Sequence, residues 1–172
     1  EAIGCGVGAE YKEEKLRYEK IIVMTDADVD GSHIASLLMT FFFDQIPDLI
    51  EGGHLYLALP PLFKITDGKN TFYAMNDEEK DKILTSKFKN KKVEISRFKG
   101  LGEMMPAQLK ETTMDPATRQ LLQIKIPSRT NEEELEAFNS TKNLVSNLMG
   151  KNPEFRFKFI QDGAKFTKDL DI

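Results

Sequence analysis

The stretch Lys20-Ile21-Ile22-Val23-Met24-Thr25-Asp26-Ala27-Asp28-Val29-Asp30-Gly31-Ser32-His33 constrains this chain more than any other. A β-branched, apolar run ends abruptly in three carboxylates at alternate positions, and a glycine follows. Beyond the glycine, apolar residues fall at 34, 37, 38, 41 and 42, a helical spacing. The pattern predicts a strand, an acidic turn and a helix. In an open α/β sheet, ligands bind just past the carboxyl ends of the strands, where these acids stand.

Charge makes the stretch more than a turn. If the chain stays extended there, Asp26 and Asp28 point the same way. Two like charges ~4 Å apart repel by about 4 kcal/mol at an effective dielectric of 20, so a proton, a basic group or a cation must relieve them. A hard cation taking oxygen ligands, Mg²⁺ above all, suits a carboxylate cluster without Cys beside it. Asp30 is placed to cap the helix at the positive end of its dipole.

The totals narrow the class. A chain of 172 residues with 40% hydrophobic content supports one domain, or one domain with an appendage. A formal charge of −4 means that any nucleic-acid contact must be local. A single cysteine, Cys5, excludes an internal disulfide and fits a reducing compartment. No apolar run reaches membrane-spanning length, which points to a cytoplasmic protein without membrane contact. The first residues read as the middle of a longer protein.

Gly4-Cys5-Gly6-Val7-Gly8 lacks the preceding strand and the Gly-Lys-Ser/Thr of a phosphate loop and reads as a flexible connector. Pro47 and Gly52-Gly53 end the helix. His54-Leu55-Tyr56-Leu57-Ala58-Leu59 predicts a second strand, parallel to the first through a right-handed crossover. Leu62–Ile65 and Thr71–Ala74 flank Asp67-Gly68-Lys69-Asn70, a hairpin pattern, and Asn76 opens a helix. Val93, Ile95 and Phe98 suggest a strand within a basic interval holding Lys87, Lys89, Lys91, Lys92, Arg97 and Lys99. The two glycines of Lys99-Gly100-Leu101-Gly102-Glu103 permit close approach to a ligand, and Lys99 is the best placed of these cations for phosphate. Further on, a short helix over 107–113, a strand over 121–126, a helix from Glu132 to Gly150 and a last helix after Pro153 complete the reading.

Three readings compete for the acidic motif. An EF-hand loop requires Glu at its twelfth position, which is Leu37 here, and a helix before it; that reading fails. A phosphatase with an Asp-x-Asp nucleophile and acid is the enzymatic alternative, although no second acidic pair after an apolar strand accompanies it. Simple helix capping explains Asp30 but leaves Asp26 and Asp28 unexplained.

The run Ile22 to Ile34 resembles the Asp-x-Asp-x-Asp motif of the Toprim domain in bacterial type IIA topoisomerases. Pro60-Pro61-Leu62-Phe63-Lys64 and Arg97-Phe98-Lys99-Gly100-Leu101-Gly102-Glu103-Met104 are similar to two further signatures of the B subunits of that family. Glu111-Thr112-Thr113-Met114-Asp115-Pro116 resembles a fourth, and Leu148-Met149-Gly150 with Asp171-Ile172 suits the C-terminal end. About thirty residues separate the second and third signatures, a short connection that favours the topoisomerase IV branch over gyrase.

The resemblance implies an α/β fold. Residues 1–95 would form the C-terminal part of a Toprim, Rossmann-like parallel sheet with flanking helices, incomplete in this chain, and 96–172 a mainly helical tail. It implies an ATP-hydrolysing enzyme that cuts both strands of one duplex, passes another through and reseals, with the nucleophilic tyrosine on the A subunit. Asp26, Asp28 and Asp30 would be the catalytic acids and hold Mg²⁺, while Arg97 and Lys99 would contact DNA. His33 beside the motif would cap or pack. The family's catalytic Glu-Gly-Asp-Ser motif is not in this sequence, and Glu1, Glu10, Glu13 and Glu14 lack its context. ATP would bind a domain outside this chain. The implied partners are DNA, the A subunit and the remainder of the B subunit in an A2B2 heterotetramer, with decatenation and relaxation as the topoisomerase IV-like output and supercoiling as the gyrase alternative. A tail that mainly docks the A subunit is a further possibility.

Overall fold

The computed structural model describes residues 2–89 and 91–164. Glu1, Phe166, Asp171 and Ile172, on which parts of the sequence reading fall, lie outside these residues.

Ile21–Val23 forms β1, Val29–Gln45 α1, Pro47–Glu51 α2 and Leu55–Ala58 β2. β1 and β2 are parallel, with Ile21 opposite Leu55 and Val23 opposite Leu57. The expected strand–helix–strand unit is therefore present. β6 (Leu121–Gln123) adds to the far side of β2 in the antiparallel sense, giving the order β1-β2-β6.

A second sheet has the order β4-β3-β5 and is antiparallel throughout. β3 (Phe63–Thr66) and β4 (Thr71–Ala74) are the expected hairpin. At its tip the Asp67 carboxylate accepts the amides of Lys69 and Asn70 at 3.0 and 2.7 Å, and Gly68 turns with φ +88°. β5 (Glu94–Arg97) pairs with β3, so Phe63 stands opposite both Ala74 and Arg97. Between the strands runs α3 (Asp77–Lys87), capped by Asn76 accepting the Glu79 amide at 2.9 Å.

The expected helix over 107–113 appears as α4 (Pro106–Leu109) continued by one π-helical turn at Lys110–Met114. α5 (Glu132–Met149) and α6 (Pro153–Ala164) form the tail. Two cores result. The larger gathers Val23, Phe42, Phe43, Leu49, Leu55 and Phe138 around the parallel pair, and the smaller holds Phe63, Ile65, Ala74 and Phe88 under the hairpin.

Two expectations are corrected. The Gly4–Gly8 segment is no loose connector. Cys5 is fully buried in the larger core, and Ile3, Tyr11 and Leu16 pack against it. The Arg17 amide donates to Ile3 O at 3.1 Å and Lys12 to Cys5 O at 2.7 Å, which closes the segment on itself. Phe41, on the apolar helical stripe expected to face the core, is about half exposed, as are Ile34 and Leu37. The buried face of α1 instead carries Gly31, Ala35, Phe42 and Phe43.

Candidate functional site

The site begins where β1 stops. The strand ends at Val23, so the alternation that would put Asp26 and Asp28 on one side does not carry through the turn. Their partners differ accordingly. Asp28, not Asp30, is the N-cap of α1. Its backbone is extended (φ −108°, ψ −177°), and its Oδ1 accepts the Gly31 amide at 2.7 Å. Its carbonyl accepts from the Ser32 amide at 3.0 Å and the Ser32 hydroxyl at 2.9 Å. The helix thus starts inside the motif, and Asp30 lies exposed in its first turn, near the positive end of the dipole but outside the capping position.

Gly31 explains the spacing of the acids. A Cβ there would meet Asp26 O at 2.1 Å and its carbonyl carbon at 2.8 Å. The turn backbone lies directly on the first helical turn, and only glycine leaves it room.

Asp26 is met from 75 positions along the chain. The Leu101 amide donates to its Oδ1 at 2.7 Å. Gly100 lies so close that a Cβ would stand 3.0 Å from Asp26 Cγ and 3.1 Å from either oxygen. The sequence suggested that both glycines admit a ligand; Gly100 instead lies against the chain's own Asp26 carboxylate, whereas a Cβ on Gly102 would meet open space. The loop folds tightly around a single turn at Leu101–Glu103. Glu103 Oε2 accepts the Lys99 amide at 2.8 Å, and the Glu103 amide donates to Gly100 O at 3.2 Å. Phe98 and Met104 are buried on either side and anchor the loop to the body of the protein.

The other signatures converge on the same corner. Ala27, Pro60, Pro61, Phe98, Gly100, Leu101 and Met104 line one narrow cleft. A larger cavity of about 530 Å³ opens beside Asp26, bounded by Thr25, Ser32, Leu59, Asn76, Glu79 and Gln120. A neighbouring one of about 210 Å³ shares Met75, Glu79 and Gln120 and reaches Glu111 and Thr112 of the fourth signature. There the Tyr73 hydroxyl is held above its ordinary value, chiefly by burial and then by the charge of Glu111. Glu79 and Gln120 join this corner without any sequence signal; their neighbours are brought by the fold, not by spacing.

Arg97 and Lys99 are both exposed on the loop side of the site. The Arg97 guanidinium sits 6.0 Å from the centre of the Phe63 ring, while Lys99 makes its fold contact through its backbone. His33 is exposed in the first turn of α1.

The three aspartates do not close on one point: among the described residues no group of three or more His, Cys, Asp or Glu could hold a metal ion. All three are exposed. Repulsion between water-screened carboxylates falls to about 1 kcal/mol at 4 Å, well below the value at an effective dielectric of 20. The donors still fit Mg²⁺, which takes one or two carboxylates and fills the rest of its shell with water and substrate phosphate. Asp26, with one oxygen fixed by an amide, is the best-ordered donor.

Two family models match the chain. The Toprim domain covers residues 2–60, and the carboxyl terminus of the DNA gyrase B subunit covers residues 90–161. The chain is 56% identical over 172 residues to the B subunit of DNA topoisomerase 4 from Bartonella bacilliformis, and equally to that from Caulobacter vibrioides, covering 99% of this chain and 24% of each relative. It is 49% identical over 171 residues to the B subunit of DNA gyrase from Metamycoplasma hominis, covering 99% of this chain and 25% of that one. The chain therefore spans about a quarter of the length of these relatives.

Proposed function

Because the chain belongs to the B subunits of bacterial type IIA topoisomerases, we propose that its acidic turn forms part of a divalent-cation site for DNA cleavage and religation in a topoisomerase IV-like enzyme. One observation carries this reading above the others: the Asp26 carboxylate, at the mouth of the parallel pair, is gripped by the glycine loop of a distant signature. A helix cap alone gives no reason for that contact.

Asp26 and Asp28 would hold Mg²⁺, with Asp30 supporting them from the first turn of α1. The ion would supply electrophilic stabilisation of charge at the leaving 3′ oxygen. The protein's own part is placement. The Leu101 amide orients Asp26, and Gly31 lets the turn lie flat on the helix end. Lys99 and Arg97 project positive charge beside the loop and would meet DNA phosphate, fixing register without reading bases. The attacking tyrosine would come from an A subunit and ATP hydrolysis from another domain of the B subunit, in a heterotetramer acting on DNA in the cytoplasm. No helix among the described residues is long and apolar enough to cross a membrane. The 56% identity to topoisomerase 4 B subunits, against 49% to a gyrase B subunit, supports decatenation and relaxation over gyrase supercoiling.

The test is the double variant Asp26→Ala, Asp28→Ala in the full-length B subunit, reconstituted with its A subunit. Covalent cleavage complexes should disappear while ATP hydrolysis persists. Retained cleavage would sink the assignment.

A second role is favoured by the tail. Phe157 and Ile160 on α6 are 63% and 66% exposed, and Phe155 and Phe159 are about half exposed. Apolar side chains exposed on both sides of one helix would gain from a partner that covers them, and docking of the A subunit is the role proposed for them.

A further inference from the structure

We propose that Glu103 is a positioning residue for the cation site, acting through the Lys99–Leu101 backbone upon Asp26. The proposal rests on the cation-site reading above and extends it to a group that touches neither metal nor DNA.

Glu103 lies in the glycine loop, two residues beyond Leu101. Its Oε2 accepts the Lys99 amide at 2.8 Å, while its own amide returns to Gly100 O at 3.2 Å. These two bonds bracket Gly100 and Leu101 from both sides. A carboxylate receiving a backbone N–H forms a charge-assisted bond, stronger than a neutral one. The loop needs such a clasp, because glycines at 100 and 102 leave its backbone with wide freedom. The clasped loop delivers one amide, that of Leu101, to Asp26 Oδ1 at 2.7 Å, with Gly100 pressed against the same carboxylate. One oxygen of Asp26 is thereby committed, and the carboxylate plane is set for a ligand on its other oxygen. The same clasp sets the backbone from which Lys99 projects, so a single side chain registers the metal-facing acid against the phosphate-facing cation.

This arrangement predicts a split between geometry and charge. Glu103 is exposed and carries no packing load. Glu103→Ala should leave the fold intact but free the loop. Glu103→Gln keeps an acceptor oxygen for the Lys99 amide and should restore the clasp without the charge. Loss of an outer-shell partner typically costs about 10- to 100-fold in metal affinity or activity; for a contact one backbone link removed, about tenfold is expected.

The experiment uses the full-length B subunit. First, hydrogen exchange of the backbone over residues 99–103, measured without metal or DNA, should quicken in Glu103→Ala and remain near wild type in Glu103→Gln. Second, with the A subunit and a DNA duplex, the Mg²⁺ concentration for half-maximal cleavage should rise about tenfold in Glu103→Ala, with the plateau largely kept, and return in Glu103→Gln. Gly100→Ala, which crowds Asp26 directly, should shift the Mg²⁺ midpoint in the same direction. Three results would overturn the proposal: wild-type exchange and midpoint in Glu103→Ala, equal impairment in both Glu103 variants, or a lowered plateau at an unchanged midpoint. Asp26→Asn, run in parallel, separates this inference from its foundation. If Asp26→Asn cleaves normally, the cation-site reading falls and this one with it. If Asp26→Asn is dead and Glu103→Ala is wild type, only the Glu103 proposal falls.

Discussion

Two side chains show how tightly single atoms are specified near the acidic turn and how loosely elsewhere. Gly31 has no tolerance: a methyl group would enter the Asp26 carbonyl at 2.1 Å. Gly31→Ala should therefore cost about 3 kcal/mol, at the upper end for overpacking a tight site, as read from urea unfolding. Tyr11 is the opposite case. Its hydroxyl is buried without a hydrogen-bond partner among the described residues, and burial, followed by the charge of Glu13, pushes its pKa up to about 12. Tyr11→Phe removes an unsatisfied oxygen from the core edge and should stabilise the protein by about 1 kcal/mol in the same assay. Glycine after an acidic run was legible as a turn residue, but the reason for it was not. That reason is a backbone contact between two elements, which no local pattern encodes.

Among the elements, the first turn of α1 gives Asp28 a double task, and the two parts can be separated. As the N-cap it accepts the Gly31 amide. Asp28→Ala should cost about 1 kcal/mol of stability, whereas Asp28→Ser should retain the cap. Both would lose the carboxylate assigned to the proposed cation site, so equal loss of cleavage with unequal melting temperatures is the expected signature. The β3–β4 hairpin carries its own pH dependence. The amides of Asn70 and Lys69, with help from Lys91, hold the Asp67 carboxyl at about 2, below its ordinary 3.8. A depressed carboxyl contributes stability above its unfolded value and loses it as pH falls through the folded one. Hairpin amide protection should thus weaken as pH drops from about 4 towards about 2, and Asp67→Asn should blunt that dependence. His54 works in the reverse sense. Bonding to the Glu19 carbonyl raises its pKa above 6.5, so its contribution is present at low pH and fades as pH climbs past the folded value. The strand–turn–helix unit, the hairpin and the tail helices were legible because periodicity and turn chemistry are local. The burial of Cys5, the exposure of Phe41 and the pairing of β6 with β2 were not, because each depends on which face another segment happens to cover.

For the molecule as a whole, the most telling result is convergence. Four signatures scattered from residue 26 to residue 112 meet at one corner of two sheets, around Asp26 and the cavities beside it. The sequence order of the signatures suggested a family; their meeting point suggests a site. The tail makes a separate prediction. Phe157→Glu with Ile160→Glu should leave the full-length B subunit folded, since both residues are exposed. If α6 docks the A subunit, co-purification of the two subunits should fall at least about tenfold, the effect of losing well over 1.4 kcal/mol of interface energy; unchanged co-purification would remove α6 from that interface. Whether the acidic turn holds a divalent cation is decided by Mn²⁺ paramagnetic resonance on the full-length B subunit in complex with its A subunit and DNA. Wild type should show protein-bound Mn²⁺ that Mg²⁺ displaces, and Asp26→Ala with Asp28→Ala should abolish that signal. Undiminished Mn²⁺ binding in the double variant would place the cation elsewhere and leave the acidic turn without its assigned role.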